Sequence, residues 1–177
     1  MAITYAEAEL LLNSWVQSDS LKKHCQSVGK VMRKAAHAYG AGVEDELRFS
    51  ITGLLHDADY DQWPETHPQR IVAWLEERGE HEIAYAINCH YTRWKRPQIT
   101  PLDKALLACD ELTGFIMACA LVRPGGIETL EPKSVIKKLK DKTFAAKVDR
   151  DEVKAGAELL GVDLDKHIAF VISALRE

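Results

Sequence analysis

The sequence predicts an all-α protein, and three observations carry that reading. Apolar residues recur at helical spacing along nearly the whole chain, and nowhere do they alternate with a two-residue period. Capping residues mark helix starts. Gly and Pro fall between the periodic stretches, where helices must stop. The 177 residues are 46% apolar and 28% charged, the balance of an ordinary globular domain. That balance excludes disordered and collagen-like classes. Four cysteines in a chain of this length are too few for a disulfide scaffold.

The elements follow in order. Thr4 and Glu7 have the spacing of a capping box and open a helix to about Val16. A second helix spans Asp19 to Tyr39, with Gly40 as its stop. A third runs from about Glu44 to His56. Pro68 suits a first helical position and Gly79 a stop, giving a fourth helix over 68–78 with His67 as its N-cap. A fifth covers about 81–91. Thr100-Pro101-Leu102-Asp103 starts a long helix to about Val122, closed by Arg123-Pro124-Gly125-Gly126. Shorter helices follow near 133–140, 150–160 and 164–176, with Gly161 between the last two. No repeat or linker divides the chain. We expect one domain over residues 1–177, its core at about 18–122 and the helices of 133–176 packed on it.

Charge narrows the function. The net charge is −4, which argues against a general nucleic-acid binder. Residues 43–82 hold eleven Asp or Glu against three Arg, a net of −8. Such a stretch repels phosphate unless a cation sits in it. Residues 133–154 carry a net of +4, read as a solvated basic face. The N-terminus lacks the pattern of a signal peptide. The most apolar window, 105–122, contains Asp110 and Glu111, which argues for a buried helix rather than a membrane span. No cysteine pair has the spacing of a zinc knuckle. Reduced thiols in a cytoplasmic protein are expected.

Several residues stand where chemistry is possible. Asp110 interrupts a helix that is apolar on two stripes, one through Leu102, Leu106, Cys109, Thr113, Ile116 and Ala120, the other through Leu107, Gly114, Met117 and Leu121. A buried carboxylate needs a partner, either an Arg or Lys or a metal ion. His24 shares a helix face with Val28, Val31 and Ala35, as a satisfied core histidine or as a ligand. The helix carrying Leu47, Ile51, Leu54 and Leu55 runs into His56-Asp57, with Ser50 and Gly53 on the Asp57 side, where small residues admit another helix. Imidazole with carboxylate suits a divalent transition metal, and the partial negative charge of a helix C-terminus favours a cation. His67 and His90 are either capping or surface histidines or further ligands. Asp59 and Asp61 are candidate general acids or bases. Arg93, Lys95 and Arg96 are candidates to hold a substrate phosphate. Arg123 lies roughly 20 Å along the helix from Asp110, far for direct contact. Cys25, Cys89 and Cys109 each adjoin a candidate ligand and point away from it on a helix, so core packing accounts for them.

The ordered set His24, then His56-Asp57, then Asp110, resembles the signature of the HD superfamily of metal-dependent phosphohydrolases. The resemblance covers about residues 18–122. It implies an HD-domain-like helical bundle with His24, His56, Asp57 and Asp110 on one metal. Some HD relatives hold a second metal through two further histidines. His67 and His90 match those positions, and Asp57 would then bridge. The chain departs from the cyclic-dinucleotide phosphodiesterase branch, because the Asp57–His67 gap is short, no second His follows His90, and the GYP element is absent. Where nucleotidase relatives carry an acid, Tyr60 stands. The stretch DELTGFIMACALVRP is similar to one found in HDIG-type bacterial proteins. The resemblance implies one or two divalent ions among Fe, Mn, Co, Ni, Zn and Mg, and a small phosphorylated substrate. It equally admits an HD-fold di-iron oxygenase cleaving a C–C or C–P bond, since the six ligands fit that count too. A module that binds metal without turnover is the third class, and the intact ligand set argues against it.

Overall fold

The computed structural model describes residues 3–177. Among them the chain forms nine α-helices, short 3-10 turns and no strand, as the periodicity predicts. The residues divide into two compact units, up to Leu106 and from Leu107 onward.

The first unit begins with α1 (Tyr5–Trp15), whose capping box is present: Thr4 accepts from the Glu7 amide while Glu7 reaches back to the Thr4 amide. Ser18 caps α2 (Asp19–Tyr39) by accepting from Leu21 N–H. A 3-10 turn at Gly42–Asp45 precedes α3 (Glu46–Leu55), so the predicted 44–56 helix opens with a tighter turn. Val28, Val31, Met32 and Ala35 of α2 are fully buried, as are Leu54 and Leu55 of α3. Each such large aliphatic side chain contributes about 1.5–3 kcal/mol when removed from water. The predicted apolar face of α3 has one exception, since Leu47 is 50% exposed.

The close approach anticipated at Gly53 is present. A Cβ there would stand 2.8 Å from the carbonyl carbon and oxygen of Val28. Any side chain at this position pushes against α2 backbone, so glycine is what lets α2 and α3 touch. Val28 lies one helical turn after His24, and Gly53 one turn before Asp57. The contact therefore fixes the two elements that carry the first candidate ligands.

After α3 the chain turns through residues 56–68, with a cis peptide at His67–Pro68, into α4 (Gln69–Glu76) and α5 (His81–His90). Gly79 between them has φ +78°, a left-handed value that favours glycine. The 3-10 segment Thr92–Trp94 follows, and α6 (Pro101–Leu121) then leads into the second unit. Asp103, 1% exposed, accepts from the Ile99 and Thr100 amides at the start of α6.

The second unit contains the later part of α6, then α7 (Pro132–Leu139), α8 (Arg150–Leu160) and α9 (Leu164–Arg176). Gly156 of α8 lies directly on Ala108, where a Cβ would fall 2.4 Å from Ala108 Cα. Phe115 meets the Phe144 ring edge-on at 5.6 Å. Arg150 staples the loop before α8, donating to the Ala145 and Val148 carbonyls, both at 2.7 Å, and to the Phe144 carbonyl. The second apolar stripe predicted on α6 fades toward its end: Leu107 is buried but Leu121 is 80% exposed. No described helix is long and apolar enough to cross a membrane.

Candidate metal centre

Four histidines of the first unit bring ring nitrogens to one place, and each comes from a different stretch of chain. His24 projects from α2. His56 ends α3, buried to 0% exposure. Its Nδ1–H donates to the Gly53 carbonyl at 2.8 Å, so in the neutral ring Nε2 is a bare lone pair. That Nε2 stands 3.2 Å from His24 Nε2. His90 ends α5 and repeats the device, its Nδ1–H donating to the Ile87 carbonyl at 2.5 Å. His67, from the turn before α4, donates its Nδ1–H to Asp59 at 2.6 Å.

Asp57 is the carboxylate these rings share. Its Oδ2 lies 3.5 Å from His56 Nε2, and its Oδ1 lies 3.3 Å from His67 Nε2 and 3.4 Å from His90 Nε2. Within the first unit two groups of donor atoms result, His24–His56–Asp57 and Asp57–His67–His90, each with its atoms within 4.8 Å of one another. The Nε2 atoms and the Asp57 oxygens are all atoms that can donate a lone pair to a cation. Nitrogen with carboxylate oxygen is a donor set that suits divalent transition metals. The residues therefore fit the group.

The remaining predicted residues fall as follows. Asp110 lies on α6, in the part belonging to the second unit, and is partly buried. Asp59 is fully buried; besides His67, it accepts from the Arg70 and Ile71 amides at 3.0 and 3.1 Å. Asp61 is exposed and accepts from the Gln17 and Ser18 amides at 2.9 and 2.8 Å, tying the α1–α2 junction to the turn after α3. Arg93, Lys95 and Arg96 are all exposed. The guanidinium of Arg93 sits 5.7 Å from the Tyr91 ring centre and that of Arg96 sits 6.0 Å from Trp94. His67 is not the α4 N-cap. Pro68 occupies that position with no side-chain cap, because the Asp59 carboxylate takes the amides at the helix start.

Two aromatic residues join the cluster that the sequence pattern did not single out as contacts. Tyr60 and Tyr91 pack edge-on against the His67 ring at 5.3 and 5.2 Å. The signal was adjacency, since Tyr91 directly follows His90. All four cysteines are buried free thiols. Burial pushes the Cys89 thiol up and raises Cys119 to about 11, so these groups pack rather than react.

Among the described residues, helices gather histidines around a shared aspartate in groups that could hold a divalent metal. Comparison with known families agrees: the HD domain family matches residues 21–114, more than half of the chain. The protein belongs to the HD domain family, one of metal-dependent phosphohydrolase type. No curated protein and no solved structure matches the chain.

Proposed function

We propose that this chain is a metal-dependent phosphohydrolase acting on a small phosphorylated molecule. The observation that carries the reading is the convergence of the His56, His67 and His90 Nε2 atoms on the two oxygens of Asp57. His24, His56, Asp57 and Asp110 would hold one cation, with His67, His90 and the shared Asp57 holding a second. The place of Asp110 in this set is supported by the order of the motif and by a family match that extends past it, to residue 114.

When bound, such cations supply a water nucleophile active near neutral pH and neutralise the phosphoryl oxygens. The chain's own residues do the rest. Asp57 joins the two positions. The carbonyls of Gly53 and Ile87 and the carboxylate of Asp59 fix the ring tautomers, so that each Nε2 faces inward. Tyr60 and Tyr91 each pack edge-on against the His67 ring. Arg93, Lys95 and Arg96, on the segment after α5, are assigned to the substrate phosphate. Asp61, braced on two backbone amides, positions the start of α2 and with it His24. Four free buried thiols support a reducing, cytoplasmic setting.

A panel of phosphate monoesters and nucleotides, assayed with Mn, Co or Mg, tests this reading. Metal-dependent phosphate release that Asp57→Ala abolishes is the expected result. Tightly bound iron with substrate-dependent O₂ consumption, and no phosphate release, would overturn it in favour of the di-iron oxygenase.

A further inference from the structure

The three Nδ1-anchored histidines are not anchored alike. His56 and His90 each donate Nδ1–H to a carbonyl three residues back on their own helix, a neutral acceptor that comes with the helix end. His67 alone donates to a carboxylate, that of Asp59, at 2.6 Å. Asp59 is 0% exposed and His67 is 2% exposed. A buried carboxylate is costly unless satisfied, and here it is satisfied fully: Oδ1 takes the His67 proton while Oδ2 takes the Arg70 and Ile71 amides. Those amides open α4, where the helix dipole further favours an anion. Asp59 is thus a fixed acceptor, held on both oxygens, that cannot turn away from His67.

We infer that Asp59 is a positioning residue that acts through His67, and that it makes the two cation positions unequal. The inference rests on the metal-centre reading above. A carboxylate on Nδ1–H locks the tautomer, aims Nε2 and raises the basicity of the ring toward a cation, and removing such a partner typically costs about 10–100-fold in metal affinity. The position built from Asp57, His67 and His90 receives this support, while in the one built from His24, His56 and Asp57 the His56 ring is oriented by a backbone carbonyl. The acid that the sequence offers as a proton-transfer residue therefore works one shell further out.

Cobalt(II) titration, followed by visible absorption and by metal per chain, tests this in wild type, Asp59→Asn, His67→Ala and the double variant. Wild type is expected to bind two equivalents. Asp59→Asn is expected to weaken one equivalent about 10–100-fold and leave the other unchanged. His67→Ala, which leaves the α4 cap intact, is expected to lose that same equivalent. In the His67→Ala background, Asp59→Asn should have no further effect on cobalt. If Asp59→Asn binds both equivalents as wild type does, weakens both together, or adds its loss to that of His67→Ala, the inference is overturned. Wild-type protein that binds no cobalt instead overturns the metal-centre reading itself. A wild type that binds one equivalent, retained by His67→Ala, overturns the inequality of two positions and leaves the first position standing.

Discussion

Asp57 Oδ1 lies 3.3 Å from His67 Nε2, although α3 ends before one and α4 begins only after the other. A turn of irregular chain brings them together, and the other nitrogen of His67 is held by Asp59 at 2.6 Å. The pairing shows how the site is assembled: helix ends supply His56 and His90, while the turn between α3 and α4 supplies both the shared carboxylate and a histidine aimed at it.

The α2–α3 contact gives a prediction about assembly. In Gly53→Ala the new methyl meets Val28 backbone at 2.8 Å, which cannot rotate away. Overpacking of this kind costs about 1–3 kcal/mol. Thermal unfolding should shift down by several degrees. Metal affinity should fall as well, because α2 carries His24 away from His56. An unchanged melting temperature would show that the two helices tolerate separation.

The segment after α5 gives a prediction about substrate. Arg93→Ala with Arg96→Ala should raise KM for a phosphate ester at least about ten-fold, since a hydrogen bond to a charged group contributes about 1.5–3 kcal/mol and about 1.4 kcal/mol is a factor of ten. Metal content should stay at the wild-type level, since neither residue belongs to the donor groups. Steady-state kinetics beside elemental analysis checks this; a fall in metal content would place the arginines in the structure of the site.

The second unit gives a prediction about pH. His167 is 1% exposed and donates Nε2–H to the Ala108 carbonyl at 2.9 Å, with the Phe170 ring stacked on it at 5.9 Å. Burial pushes its pKa below the ordinary value of 6.5, against a smaller opposite effect of the Ala108 carbonyl. The unfolded chain then binds a proton on this residue at a pH where the folded chain does not. Its contribution to stability is complete above about pH 6.5 and declines as pH falls below that value. Urea unfolding between pH 7.5 and 5.5 should show wild type losing stability toward acid more steeply than His167→Gln. Equal slopes would contradict this.

Much of the fold was legible because the chain marks its helix boundaries locally. The Thr4–Glu7 capping box, Ser18, and the glycines at 40, 79 and 161 each act within a turn of their own position, and the observed bounds follow them. By sequence His67 reads as a cap, but the group that satisfies the start of α4 is Asp59, which lies several residues upstream and belongs to the turn after α3. A cap supplied from outside the helix leaves no local pattern. The same limit hid the roles of Asp59 and Asp61, whose partners are set by tertiary structure. Leu47 fits the helical period of α3, yet the period marks a face and not its cover, and half of Leu47 remains in water. The histidines of the site were legible individually by type and position, whereas the inward aim of their Nε2 atoms depends on carbonyls and a carboxylate that only the folded chain brings into place.

The most direct measurement is metal per chain, by elemental analysis after loading with a divalent cation and removal of the excess, on wild type and Asp57→Ala side by side. The account predicts one to two ions per chain in wild type, and near none in Asp57→Ala at unchanged helical content by circular dichroism. Wild-type protein that retains no metal, or Asp57→Ala that retains the full wild-type content, would contradict it.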